Sequence, residues 1–378
     1  MKGIIQYSTV LAGIALLALA VRSITKQSAF EEQAKAPPID VLSETKTRSA
    51  TDNPVKAVFS DFNPGNGKAS SLQSLSGLRA TLAAMPADEA LRWIRSFLES
   101  GMDKETGLSF EIGSDGNLTE WPSFRTFLVD ALHVIDPVAA GEISRNLLDS
   151  PTSADEWALA LRNVASVDEG AKSRDFLRSK TEELILNPEW QEKPTVGYLN
   201  AFDVLVHIQA VESTPLLSTL VKRKDRRDLA HAGFLTLDRL VQQNPADLLG
   251  RLAADTSLQQ SRPEMTAQQF ARADLRDPAQ REIVRNWLLD PARTATELNA
   301  FVSTYPNNNK FISHNLLTRE SAPAGADLVA HDREVLDILR SWQNDPAFDG
   351  VKESLSLMSR RLGEFTRSEA PSVPSIQK

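Results

Sequence analysis

The chain has 378 residues, of which 41% are hydrophobic and 24% charged, with a formal net charge of −8 and no cysteine. That length accommodates one long repeat domain or two to three average ones, with ample apolar residues for a core. The acidic balance argues against general affinity for nucleic-acid phosphates, and the lack of cysteine excludes disulfides, thiolate metal sites, cysteine nucleophiles and lipoprotein attachment.

Gly3 to Val21 carries no charge, with Lys2 before it and Arg22 and Lys26 after. A run of this length and hydropathy predicts an N-terminal membrane segment over 1–26. Ala18-Leu19-Ala20 has the small-residue spacing of a signal-peptidase site, so cleavage and export is the alternative to an anchor. The short N-terminal tail predicts a bacterial inner-membrane protein whose body lies on the periplasmic side. The slightly heavier positive charge after the segment points the other way.

Residues 27–72 are rich in Glu, Lys, Ala, Pro, Ser and Thr without sustained period, and predict a disordered linker in which only Ala57-Val58-Phe59 is apolar enough to dock. Asn66-Gly67-Lys68-Ala69-Ser70 fails as a phosphate-binding loop. Phe62 stands where the leading glycine belongs, and Ala69 where the metal-binding hydroxyl belongs.

From residue 73 to 366 the pattern is helical. Phe124, Phe127, Leu128, Ala131, Leu132 and Ile135 fall on one stripe, as do Trp157, Ala160, Leu161 and Val164, Ala230, Phe234, Leu237 and Val241, and Val351, Leu355, Met358 and Leu362. Ser153, Thr266 and Thr294, each with Glu or Gln three residues on, predict capping boxes. Asp136-Pro137, Asn187-Pro188, Asn244-Pro245, Asp277-Pro278, Asp290-Pro291 and Asp345-Pro346 predict capped helix starts with proline in the first turn, in preference to a carboxylate cluster. One segment departs from this rhythm. Gly107 to Ile112 alternates, and Gly113-Ser114-Asp115-Gly116 supplies turn residues, so 108–121 predicts a small β-hairpin that must pack on neighbouring helices. The tail, 367–378, is predicted to be disordered.

The helices come in pairs. Ala201 to Ala210 is followed by a helix from Ser213-Thr214-Pro215, and Arg226 to Val241 by Asn244-Pro245-Ala246-Asp247-Leu248-Leu249-Gly250-Arg251-Leu252. Pairs start near residues 124, 155, 196 and 229, spaced roughly 30–40 residues. This rhythm resembles the HEAT and armadillo repeats, most clearly over 124–257. The run Asp155 to Asn163 also looks like uncharacterised bacterial envelope proteins. The resemblance implies an all-α domain of paired antiparallel helices stacked as an α-α superhelix with a binding face, and it implies no chemistry.

No catalytic, cofactor or metal constellation is expected. The five histidines, His133, His207, His231, His314 and His331, lack the spacing of helical metal ligands. His207 reads as a core residue, and His133 falls on the polar face of its helix with Thr126 and Asp130. His231 has no nucleophile elbow to serve. Asn117-Leu118-Thr119 matches a glycosylation acceptor by chance. The one conspicuous charge cluster is Lys222, Arg223, Lys224, Arg226 and Arg227, five basic residues around Asp225. It reads either as a solvated turn complementing a helix C-terminus or as a docking patch for an acidic partner or anionic lipid. The sequence therefore predicts a membrane-tethered repeat scaffold with a protein or peptide partner, the alternative being an enzyme on an α/α framework.

Overall fold

A computed structural model describes residues 53–150, 152–309, 314–319 and 325–368. The apolar segment at 1–26, the stretch at 27–52 and the tail from 369 lie outside the described residues.

The fold is all-α with one small hairpin, as expected. Three helices lead, α1 Pro54–Asp61, α2 Lys68–Ala84 and α3 Ala87–Glu99, before the strands β1 Glu111–Ile112 and β2 Leu118–Glu120. Then follow α4 Phe124–Ile135, α5 Pro137–Leu147, α6 Ala154–Ala165, α7 Ala171–Leu186, α8 Pro188–Glu192, α9 Val196–Asn200 and α10 Asp203–His207. The remainder are α11 Thr214–Lys222, α12 Arg227–Gln243, α13 Pro245–Ala254, α14 Thr256–Ser261, α15 Pro263–Phe270, α16 Pro278–Leu289, α17 Ala295–Thr304, α18 Gly325–Gln343 and α19 Lys352–Ser368. None of the helices among the described residues is long and apolar enough to cross a membrane.

The helices sort into two rows. In the first, α4, α6, α9, α10, α12, α15, α17 and α19 follow one another, while α5, α7, α11, α13, α14 and α16 back them in a second. The predicted stripes form the core between the rows: Phe124, Phe127, Leu128, Trp157, Leu161, Leu237, Val241, Leu355 and Met358 are all buried.

Four of the six predicted Asp/Asn-Pro caps form, with Asp136, Asn187, Asp277 and Asp345 accepting from the first-turn amides. Asn244 precedes α13 without a side-chain cap, and Asp290 ends α16, where it shapes a turn by accepting from the Ala292 amide. Of the three predicted capping boxes, Thr294 and Glu297 make the full reciprocal pair. Ser153 caps α6, but the Glu156 side chain goes elsewhere, to Arg125. Thr266 does not start a helix. Pro263 begins α15 three residues earlier, and the Thr266 hydroxyl bonds back to the Arg262 carbonyl inside it.

The linker boundary at 72 is corrected. Residues 54–61 and 68–72 are helical, and Val55 and Phe62 are buried. The physical cause is aromatic packing: the Phe59 ring lies 4.9 Å from Phe97 and 5.2 Å from Phe124, both edge-on, with Phe62 6.0 Å from Phe124. Ser71, fully within the packed region, donates to the Thr106 carbonyl at 2.8 Å.

The hairpin pairs Glu111 with Glu120 and Ile112 with Leu118, antiparallel. It is too short to hold itself, and buried polar side chains fix it to α4 and α6.

Candidate functional site

The interior of the first row carries charge. Asp130 on α4, wholly buried, accepts from the Leu118 amide at 3.2 Å, Trp121 Nε1 at 2.8 Å, Arg79 at 3.2 Å and Arg162 Nη1 at 2.7 Å. Arg162, on α6, also donates to the Gly116 carbonyl and to Asn163, so hairpin, α4 and α6 share one network. Of the stripe of Thr126, Asp130 and His133, the first two are buried and His133 is half-buried, and Asp130 seats the hairpin. Burial and the Arg162 charge pull the His133 imidazole down to about 4 from 6.5, leaving it neutral in the fold.

That depression has a sign that can be tested. Above pH 6.5 the neutral ring carries no penalty. As pH falls from 6.5 towards 4 the unfolded chain takes up the proton first, and stability drops by up to about 1.4 kcal/mol per pH unit, less for a ring that is not fully buried. Urea midpoints measured across this window should fall less steeply for His133→Gln than for the natural chain. Parallel curves would show that His133 titrates alike in both states.

The same motif recurs between α4 and α6 and further along the row. Arg125 forks onto Glu156 through Nε at 2.8 Å and Nη2 at 2.6 Å, and donates Nη1 to the Leu98 carbonyl. Asp238 on α12 receives Arg272 at 3.0 and 2.8 Å. Asp203 on α10 receives Arg239 of α12 at 2.9 Å.

Asp203 differs from the others in what else it holds. Its Oδ2 accepts the successive backbone amides of Leu317 at 2.7 Å and Thr318 at 3.0 Å. Its Oδ1 takes the Thr318 hydroxyl, which in turn accepts from Arg239 Nη2. An acid–arginine pair thereby grips two consecutive amides and a hydroxyl of a non-helical segment more than a hundred residues away. That segment, 314–319, continues to the hairpin. His314 Nδ1 lies 3.0 Å from the Ile112 carbonyl, and Leu316 is buried. Gly116, at φ +83°, admits it, because a Cβ there would sit 2.5 Å from the Leu316 carbonyl oxygen. Asn307 bonds to Ala271 and Gln268, beside α15. Two described stretches outside the helices therefore lie against the first row, 305–309 beside α15 and 314–319 between α10 and the hairpin.

Beside this grip is a cavity of about 350 Å³ between α9, α10 and α12. Leu199, Phe202 and Leu235 give it an apolar wall, and Asp203, Arg239 and Asn315 a polar edge. A larger one, about 600 Å³, is floored by Arg125 and Glu156. Those two groups satisfy each other, so neither is free for acid–base work.

The basic cluster is largely committed. Arg223 pairs with Asp225 and donates to Gln191, and Arg226 pairs with Asp228 and donates to the Gln191 and Glu192 carbonyls at the end of α8. Lys222 reaches Ser257, and Arg262 holds the Val221 and Arg223 carbonyls at the end of α11. Docking of an acidic partner on this turn would fall to the exposed Lys224 and Arg227. His231 stands at the mouth of the smaller cavity, and His207, expected in the core, is instead exposed at the end of α10, whose buried residues are Asp203, Val204, Leu205 and Val206. Among the described residues no three His, Asp or Glu side chains converge as a metal site.

The sequence did carry a signal for the acids in the network. Asp130, Asp203 and Asp238 each interrupt an apolar stretch: Val129-Asp130-Ala131, Phe202-Asp203-Val204, Leu237-Asp238. An acid inside a core pattern needs a buried partner. No family model matches the chain, and no curated protein or solved structure is significantly similar to it.

Proposed function

We propose that this chain is a HEAT-like helical-repeat scaffold that binds an extended polypeptide segment across its first row of helices. The uncharged N-terminal run is read as its tether to a bacterial inner membrane, which fractionation of the chain lacking residues 1–26 tests. The observation supporting the binding role is the Asp203 grip. A carboxylate steadied by Arg239 takes two successive backbone amides, a contact that any extended chain can make, and an apolar cavity lies beside it to accept a side chain. The 314–319 segment is then an internal occupant with which a partner competes.

Competition decides how this is tested. Displayed random peptides are selected against the full chain, and the enriched ones are measured by fluorescence anisotropy. Thr318→Ala removes a hydroxyl from the internal segment alone, so it is expected to tighten peptide binding by raising the open fraction. In that background Asp203→Asn is expected to weaken binding about tenfold or more, roughly 1.4 kcal/mol. Peptides that bind both variants as they bind the natural chain would overturn the reading. The enzymatic alternative would use the Arg125–Glu156 cavity, where the mutual pairing of these groups argues against it.

A further inference from the structure

Asp203 and Arg239 hold three groups of the 314–319 segment, and the three differ in what they ask of a ligand. The Leu317 and Thr318 amides, at 2.7 and 3.0 Å from Asp203 Oδ2, belong to any polypeptide. The Thr318 hydroxyl does not. It donates to Asp203 Oδ1 and accepts from Arg239 Nη2, so one oxygen is donor and acceptor at once. The two groups it joins are themselves paired, with Arg239 Nη1 2.9 Å from Asp203 Oδ1. Amide and hydroxyl of a single residue thereby engage both oxygens of one carboxylate.

Side-chain chemistry narrows what can take that place. A carboxylate or phosphate would accept from Arg239 and be repelled by Asp203. An ammonium would donate to Asp203 and be repelled by Arg239. A hydrocarbon answers neither, and burying one there takes a donor from Asp203 and an acceptor from Arg239, at a site where Asp203 is 3% exposed. A side-chain amide could meet both charges, but with two atoms in place of one and a bulkier group. Serine and threonine alone carry a hydroxyl bonded directly to Cβ. That short reach lets the main-chain amide of the same residue stay on Oδ2. The residue before it is set differently. Leu317 packs half-buried against the core, and Leu316 is buried.

We propose that the Asp203–Arg239 pair selects partner segments in which a serine or threonine follows an apolar residue, and that the unmodified hydroxyl is the group it recognises. This selectivity rests on the binding role proposed above, and narrows its partner from extended polypeptide in general to one class. A partner phosphorylated at that hydroxyl is refused, because the phosphate meets the Asp203 carboxylate.

Two measurements test it. The first uses the chain's own segment. Hydrogen exchange over residues 314–319 of the full chain, followed by mass spectrometry, is compared with that of Thr318→Ser and Thr318→Val. Serine is expected to keep the natural protection to within about threefold, and valine, which matches threonine in shape, to lose at least about tenfold. Protection unchanged in Thr318→Val overturns the proposal.

The second uses partners. Peptides with the sequence of residues 314–319 carry threonine, serine, valine or phosphothreonine at the position of Thr318, and their affinities for the Thr318→Ala chain are read by fluorescence anisotropy. Threonine and serine are expected to bind at least about tenfold more tightly than valine and phosphothreonine. Asp203→Ala in that background should narrow the gap between threonine and valine, a change of selectivity that loss of packing would not produce. Should that variant not fold, the peptide series on the Thr318→Ala chain decides alone. Equal binding of the threonine and valine peptides overturns the selectivity and leaves the binding role standing. If no peptide binds, the binding role fails and this proposal with it, whatever the exchange result.

Discussion

Replacing Asp130 by alanine is expected to destabilise the body by about 3–5 kcal/mol, because it removes one partner of a buried ion pair and leaves Arg162 uncompensated. Arg162 is 1% exposed, and its remaining partners, the Gly116 carbonyl and Asn163, are neutral. The Trp121 indole and the Leu118 amide lose their acceptor at the same time. The loss is therefore concentrated at the hairpin, which has little else to hold it. Urea denaturation followed by circular dichroism gives the global number, and amide exchange at 111–120 shows where it is spent. A loss below about 1 kcal/mol would mean that the network is replaceable, as some buried ion networks are when exchanged for apolar packing.

Phe124→Ala is expected to cost a similar amount, about 3–5 kcal/mol, by a different route. Phe124 is fully buried, and its ring is met by Phe59, Phe62, Phe97 and Phe127 at centroid distances between 5.2 and 6.0 Å. Two of those neighbours come from α1 and the residue that follows it. The cavity left by the ring takes away the surface on which α1 docks, so protease should gain access to 54–62 in the variant at denaturant levels where α6 to α19 remain folded. Simultaneous loss of all helices would show that α1 and the rest unfold as one unit.

Much of the fold was legible because it rests on period. The stripes at Phe124, Trp157, Ala230 and Val351 needed only the 3.6-residue repeat, and burial against a second row followed from it. Within residues 54–72 only the docking patch Ala57-Val58-Phe59 was legible, and the rest was illegible for the opposite reason. Their apolar residues are few and interrupted by Asn63-Pro64-Gly65, and they become core only through contact with rings more than thirty residues later. The basic cluster was conspicuous as a run of like charge, but its partners Gln191, Glu192 and Ser257 come from other helices. In sequence Asp203 is one acid among many. Its role depends on Leu317 and Thr318, with the hydrogen bond to Thr318 spanning 115 residues, and no local pattern announces a separation of that size.

The buried pairs also give the stack a direction. From α4 to α6, from α10 to α12, and from α12 to the turn after α15, the acid lies on the earlier element and the arginine on the later one, whereas Arg125–Glu156, Arg79–Asp130 and Arg293–Glu297 run the other way. On α12 the two roles sit side by side, Arg239 reaching back to Asp203 and Asp238 reaching forward to Arg272. Each such helix is complementary to a predecessor and a successor that differ from one another. A unit inserted backwards, skipped, or borrowed from another copy of the chain would bury an unmatched charge, at a cost of several kcal/mol. Apolar ridges alone would tolerate many such rearrangements, whereas a polarised series of charges accepts one order of assembly.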